Sequence, residues 1–372
     1  MQVLQGKWVI IECNFVNLRT EPDVTASSKR QINVGEEVDF LGWYGKFARV
    51  RYKGETGYVM GSYVAPAGNY MQQVLDTVAV TGFYNYEDMM EDLRRFAYLY
   101  PEQVALETIG YSAWGTEIPV IRVGNENASQ HVLLHGSVHA REYTTTWLLM
   151  ALVDYWLDRG LTGYGDVCFH IIPMVNPDGV SIVQSGVIPE ELMYIYENDL
   201  KNGYTNLTME AYANQWKANG QGVDINRNFP SGWELITSRE APSSELYRGT
   251  EPFSAPEAKA LRDYSLRYTF GATVSYHATG SIIYYEYGDN AVTNAVGKTL
   301  AQKLYGLTGY YPFKSSNVDG AGYKDWMIAE NKVPSLTMEI GCQGLPLANR
   351  ELYSTFIRNL EVFPAIIQWL LQ

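Results

Sequence analysis

The chain has 372 residues, 46% of them hydrophobic, with 28 Lys and Arg against 41 Asp and Glu, for a net charge of −13. That length suggests two domains, or one large domain with an appendage, and the composition is that of a globular protein with ample apolar material for a core. The acidic balance without any basic stripe argues against nucleic acid as a partner, and no apolar run approaches the roughly 20 residues that span a bilayer. A local basic site on such a chain still leaves an anionic small substrate open. The three cysteines, Cys13, Cys168 and Cys342, are far apart and lack C-x-x-C spacing, so neither a thiolate zinc site nor a disulfide framework is expected. The sequence is silent on oligomeric state.

Residues 1–66 differ from the rest. Trp8–Ile11, Val38–Leu41, Phe47–Tyr52 and Thr56–Val59 are short β-rich runs, and Glu21-Pro22-Asp23, Asn33-Val34-Gly35-Glu36 and Lys53-Gly54-Glu55 are turn signals between them. Regular short strands of this kind predict a small all-β barrel. The order Val16-Asn17-Leu18-Arg19-Thr20-Glu21-Pro22, Val34-Gly35-Glu36-Glu37-Val38, Gly54-Glu55-Thr56-Gly57-Tyr58-Val59 resembles the bacterial SH3-type domain. In that family the domain is often appended to cell-wall enzymes; a structural appendage without a ligand is the plainer alternative. The opening Met1–Lys7 lacks the charged start and long apolar core of a signal peptide. Either the protein stays in the cytoplasm, or the chain is a mature form, secreted or wall-associated, whose signal has been removed. Residues 67–83, from Ala67-Gly68-Asn69 on, read as a linker, and 84–372 as the second domain.

From Tyr84 the pattern changes. Met89, Met90, Leu93, Phe96, Ala97 and Tyr100 recur at helical period, and Pro101 closes the segment. β-like runs at 104–111, 118–123, 131–135, 168–175, 273–277, 282–287 and 335–340 then interleave with helical ones at 143–158, 254–267, 289–305 and 348–371. This alternation predicts an α/β domain with helices on both faces of a mixed sheet. Thr144–Leu157 is apolar nearly all round, so that helix is expected to be buried. Residues 185–222 form a long, polar, Tyr- and Asn-rich insertion. Ligands in such sheets collect at the carboxyl ends of strands, and His139, Asn176 and His277 all sit just past expected strands.

His139 and Glu142 lie three apart where the apolar run Val132–Leu134 turns into that helix. An imidazole and a carboxylate so placed can face one ion, and nitrogen with carboxylate oxygen suits zinc. The same pattern also suits a plain helix start, with Glu142 favoured by the helix dipole. Only five histidines are present, and His277 is the candidate third ligand, or else a core histidine. Three such ligands leave a position open for water, as catalytic zinc requires. Asn226-Arg227 sets an amide beside a guanidinium that can grip a carboxylate bidentately, or is a turn with a surface arginine. Glu339 lies in an apolar strand, where a carboxylate is costly unless paired or working, or faces solvent on an edge strand.

Together, His139-x-x-Glu142, Asn176-Pro177-Asp178-Gly179, Asp224-x-Asn226-Arg227-Asn228, Ser275-x-His277, Tyr285-x-Tyr287-Gly288 and Thr337-x-Glu339 resemble the zinc carboxypeptidase family, the carboxypeptidase A-like peptidases, in the family's order. The resemblance runs from about Tyr84 to the C-terminus. It implies a carboxypeptidase-like α/β/α domain behind the SH3-like barrel, and one zinc ion per chain on His139, Glu142 and His277. It implies Glu339 as general base, Asn226 and Arg227 as the clamp on the substrate's terminal carboxylate, and Arg141 beside the scissile carbonyl. Asp224 would hydrogen-bond His139 and fix its tautomer. Three departures stand out. Lys217, after Trp216, takes the place of the family's oxyanion arginine, keeping the charge and losing the fork. Ser315–Asp319 fills the region of the family's mobile tyrosine, with Tyr323 nearby but not aligned. Lys324 falls where the base of the specificity pocket is read, and implies an acidic side chain beyond the cut unless it faces outward from a helix start.

The SH3-type module, Trp216-Lys217-Ala218-Asn219 before Gly222–Asn228, and the pocket cation look like the bacterial γ-D-glutamyl–diamino-acid peptidases. Those enzymes cut the peptidoglycan stem peptide between D-glutamate and meso-diaminopimelate. The implied partner is a stem peptide or its fragment, whose extra carboxylate would meet Lys324. A conventional metallocarboxypeptidase on ordinary peptides and a non-catalytic wall-binding protein are the alternatives.

Overall fold

A computed structural model describes residues 6–12, 15–45, 47–66, 75–81, 83–160, 166–314, 320–342 and 344–372. Cys13, Ala67-Gly68-Asn69 and Ser315–Asp319 lie outside the described residues, so the place expected of the mobile tyrosine is not described.

Seven strands form the first sheet: β1 (Gly6–Ile10), β2 (Phe15–Arg19), β3 (Ser28–Asn33), β4 (Glu37–Tyr44), β5 (Phe47–Tyr52), β6 (Glu55–Met60) and β7 (Val64–Pro66). Their order is β3-β2-β6-β5-β4-β1-β7, and every pairing is antiparallel. Alternate residues turn inward, as a two-residue period demands. Val16, Leu18, Val38, Phe40 and Val50 pack there with Trp8 and Ile32. Arg358 ties this sheet to the rest of the molecule. Its guanidinium pairs with Glu12 at 3.0 Å and donates to the carbonyl oxygens of Ile11 and Thr308.

The second sheet contains β8 (Val104–Tyr111), β9 (Glu117–Val123), β10 (Gln130–His135), β11 (Val167–Ile172), β12 (Phe270–Ala278), β13 (Ile282–Tyr284), β14 (Tyr311–Phe313) and β15 (Ser335–Ile340). Their order is β14-β13-β15-β12-β10-β11-β9-β8. The central four, β15, β12, β10 and β11, run parallel, while β9 and β13 flank them antiparallel. Parallel strands are covered on both faces. On one face Val132, Leu134, Val274, Tyr276, Leu336 and Met338 meet the helices Tyr86–Leu99, Thr144–Arg159, Leu352–Asn359 and Val362–Leu370. On the other, Leu133 and Ile172 meet the helices Pro256–Ser265 and Tyr323–Ala329. The helix Thr144–Arg159 buries 13 of its 16 residues, as its composition demands.

The sequence pattern and the structure part company in two places. The expected helix over 348–371 is two helices, broken between Asn359 and Val362. Pro364 explains the break. Proline has no N–H and its ring clashes with the carbonyl four residues back, which is Leu360; that oxygen instead accepts from Trp156 Nε1 at 2.8 Å. The insertion over 185–222 is also more ordered than its polarity suggests. It carries the helices Met193–Lys201 and Met209–Asn214 around a core of its own, in which Ile195, Tyr212 and Trp216 are buried.

Candidate metal centre and active site

β10 ends at His135, and the chain turns at Ser137, where φ is 49°, immediately after the closely packed Gly136. A Cβ at Gly136 would lie 2.9 Å from Thr145 Oγ1 and 3.0 Å from the Pro173 carbonyl oxygen, so only glycine fits. The turn leads through His139 into a short 3-10 helix, Ala140–Glu142, which folds the Glu142 carboxylate back onto His139. Glu142 Oε1 lies 2.9 Å from His139 Nδ1, and Oε2 lies 2.9 Å from His277 Nδ1. The two Nδ1 atoms stand 3.1 Å apart. His277 comes from β12, whose Val274, Tyr276 and Ala278 face one core while Thr273, Ser275 and His277 face the other way. On β15, Leu336, Met338 and Ile340 likewise leave Thr337 and Glu339 on the opposite face, and Glu339 is the register partner of His277. Strand alternation and parallel register together therefore deliver Glu339 beside the histidines.

Three ligand atoms from His139, Glu142 and His277 lie within 4.8 Å of one another, and all three residues are buried. Burial alone would raise the Glu142 carboxyl, yet the two rings beside it hold it well below the usual carboxylate range. The convergence of two imidazole nitrogens on an ionised carboxylate fits one zinc ion. Behind His139, Asp224 Oδ1 lies 3.3 Å from Nε2, an ion-pair contact without hydrogen-bond alignment, and its charge favours a proton on Nε2, which leaves Nδ1 to ligate. Asp224 is fully buried, and its other oxygen lies 3.4 Å from Lys217 Nζ and 3.6 Å from Arg227 Nε. Against the burial penalty, Lys217, His139 and Arg227 hold the Asp224 carboxyl well below its ordinary range.

A cavity of about 380 Å³ opens over this group and is lined by His139, Lys217, Asp224, Asn226, Arg227, Lys324 and Glu339. Lys217 is delivered by its neighbour Trp216, a fully buried anchor of the insertion's core, and by the Lys217 N–H, which donates to the Ser244 carbonyl at 2.9 Å. Asn226 Oδ1 accepts from the Tyr323 N–H at 3.1 Å, and Arg227 donates to the Thr237 carbonyl at 3.0 Å. Lys324 is buried against Asp325, and its ammonium donates to the Glu286 carbonyl at 2.8 Å. Burial raises the Glu339 carboxyl to about 7, with His277 pulling it down and Glu142 pushing it up.

Two expected site residues are elsewhere. Tyr323 is fully buried, its hydroxyl hydrogen-bonds Ser265 Oγ at 2.8 Å, and its ring packs on His135 and Phe229. It is a core residue of the first helical turn and cannot touch a substrate. Arg141 sits within the 3-10 turn that aims His139 and Glu142 inward, and that same turn carries its guanidinium to the Gln215 carbonyl at 3.1 Å and Glu245 at 3.3 Å. It does not line the cavity. Thr337, named in the Thr337-x-Glu339 pattern, lines the cavity from the same face of β15 as Glu339. Tyr284, Ile236 and Thr237 line it without having been singled out in the sequence; Ile236 and Thr237 lie in a loop with no periodic signal. Asn176 serves the scaffold: its Oδ1 accepts from Gly179, and its Nδ2 donates to Ala218 at 2.9 Å and to Val138.

A mixed α/β sheet that sets a two-histidine, one-carboxylate centre at its strand ends, with a further carboxylate facing the same cavity, defines a metal-dependent hydrolase. Residues 89–360 match the zinc carboxypeptidase family and residues 14–65 the bacterial SH3 domain. The chain belongs to the zinc carboxypeptidase family, and is a zinc metallopeptidase with an N-terminal SH3 domain. It is 33% identical over 297 residues to a γ-D-glutamyl-L-diamino acid endopeptidase of Lysinibacillus sphaericus, covering 76% of this chain and 72% of that one. It is 26% identical over 308 residues to carboxypeptidase B of Astacus astacus, covering 76% and 94%. The crystal structure of thrombin activatable fibrinolysis inhibitor superposes with a TM-score of 0.62 at 19% identity, over 81% of each chain, and shows the shared fold. Among the described residues no helix is long and apolar enough to cross a membrane.

Proposed function

We propose that this enzyme hydrolyses the γ-D-glutamyl–meso-diaminopimelate bond of peptidoglycan stem peptides. The observation that carries the reading is the cavity, which gathers three cations, Lys217, Arg227 and Lys324, against two paired carboxylates, Asp224 and Asp325, beside Glu339 and the metal-ligand set. A substrate bearing several carboxylates suits such a wall, and the 33%-identical relative bears the matching name. His139, Glu142 and His277 hold one zinc ion, which when bound lowers the pKa of water towards about 7 and polarises a carbonyl. Glu339 takes a proton from the attacking water and passes it to the leaving amine; a carboxyl raised to about 7 is matched to that task. Lys217 meets the developing oxyanion. Asn226 and Arg227 grip the terminal carboxylate. We assign residues 1–66 to the SH3-type unit, 67–83 to a linker and 84–372 to the catalytic unit, and action at the bacterial wall accords with that module.

One observation favours a second reading, a carboxypeptidase acting on ordinary peptides. Lys324 is already matched by Asp325 in the same cavity, so the pocket base is an ion pair rather than a free cation. Mass spectrometry of products from L-Ala-γ-D-Glu-meso-diaminopimelate and its longer stem relatives, beside ordinary peptides, separates the two. Chelator-sensitive release of diaminopimelate, absent in Glu339→Gln, supports the wall substrate. Equal or faster cleavage of ordinary C-terminal residues discards it.

A further inference from the structure

At the other end of the same strands lies a second set of metal-ligating side chains. β10 and β11 pair in parallel with His131 opposite Cys168 and Leu133 opposite His170. Phe169 and Ile171 point into the larger core, so alternation puts Cys168 and His170 on the opposite face, beneath the helix Pro256–Ser265. Ligand atoms of His131, Cys168 and His170 lie within 4.8 Å of one another. His131 Nδ1 and His170 Nε2 stand 2.8 Å apart. Two ring nitrogens at that distance share one proton in a hydrogen bond, and the Cys168 sulfur lies beside them. His170 Nδ1 hydrogen-bonds the Tyr264 hydroxyl at 2.7 Å, the kind of outer contact that fixes the ring of a metal-binding histidine. Cys168 and His170 are fully buried, while His131 is only partly so.

We propose that His131, Cys168 and His170 form a second metal site, for one soft transition-metal ion held by two imidazoles and a thiolate. Nitrogen and thiolate are the donors such ions select. Tetrahedral zinc bonds to these donors set them roughly 3.3–3.6 Å apart, between the 2.8 Å of the ring nitrogens and the 4.8 Å that bounds the group. Binding expels the thiol proton of Cys168 to solvent, and the proton shared by the two rings moves to the far nitrogen of its own ring, so that each neutral ring ends with its single proton turned away from the ion. Arg122, held by the Tyr268 hydroxyl at 2.6 Å, is a nearby positive charge that favours the thiolate; it also repels the ion, a cost that the thiolate offsets. At least four residues of β10, about 13 Å of strand, separate this cluster from the catalytic histidines. The site is therefore independent of the catalytic reading.

The test is titration of the reduced, metal-stripped full chain with Co2+, followed by displacement with Zn2+. The catalytic ligand set contains no thiolate, so a sulfur-to-cobalt charge-transfer band in the near ultraviolet reports cysteine ligation, which the cysteine variants assign. Two metal equivalents per chain with that band are expected in the unaltered protein. Cys168→Ser should lose the band and one equivalent while keeping peptidase activity, and Cys342→Ser should keep both. One equivalent without the band in the unaltered chain overturns the proposal, whatever the variants do. So does a band that survives Cys168→Ser.

Discussion

At the carboxyl ends of β10 and β12, His139 and His277 face a carboxylate 2.9 Å from each, with a second carboxylate behind His139. At the amino ends of β10 and β11, His131 and His170 face each other and a thiol, with a tyrosine behind. The first set keeps Glu142 ionised despite its burial. The second holds its members neutral, the thiol raised to about 11 and His170 lowered to about 3, chiefly by burial. The same strands thus build one centre that already carries the negative charge a dication needs, and one that must shed a proton to acquire it. What decides between them is the turn: after His135 the chain folds a carboxylate back, whereas at the amino ends only the strands themselves supply donors.

The comparison breaks most visibly at Glu142. Glu142→Ala should abolish the catalytic metal and reduce hydrolysis to background, while leaving the cobalt–thiolate band; metal analysis and activity on one sample check both. Glu339→Gln should keep full metal content yet lower kcat by about 10²–10⁴. Lys217→Met should cost about 10²–10³ in kcat, the usual loss of one oxyanion donor. Asp224→Asn should weaken the catalytic metal by about 10–100-fold, because the contact that sets the His139 tautomer is altered; competition with a chelator measures it. If Asp224→Asn leaves that affinity unchanged, the second carboxylate contributes charge to Lys217 and Arg227 and nothing to the metal.

The catalytic end was legible in the sequence, and the other end was not. His139-x-x-Glu142 and Ser275-x-His277 are local patterns; the 3-10 turn folds the first pair together, and strand alternation sends Ser275 and His277 one way. The His131–Cys168–His170 group has no motif, because its members meet only through the parallel register of β10 and β11. Wide cysteine spacing argued against a thiolate site, and spacing along the chain does not register a neighbour across a sheet. Tyr323 shows the limit of proximity in sequence: Lys324, one residue on, reaches the cavity, while Tyr323 turns into the core on Ser265. The broken C-terminal helix could have been read, since Pro364 forbids the carbonyl of Leu360 its usual partner.

The smallest effect expected concerns stability. Burial, with His131 and Arg122 adding to it, lowers His170 to about 3; burial, with His277 adding, lowers His135 to about 3. In the unfolded chain both rings titrate near about 6.5. Below that pH the unfolded chain binds protons that the folded one refuses, so stability falls as pH drops from about 6.5 towards about 3 and is unaffected by these rings above that window. Each ring costs at most about 1.4 kcal/mol per pH unit inside it. Urea midpoints of metal-stripped protein between about pH 8 and about pH 5 should show the decline, and His170→Gln should remove one ring's share of the slope. An unchanged slope would mean that His170 takes up a proton in the folded state. The amino end of the sheet would then be no more neutral than the carboxyl end, and the contrast between the two would rest on geometry alone.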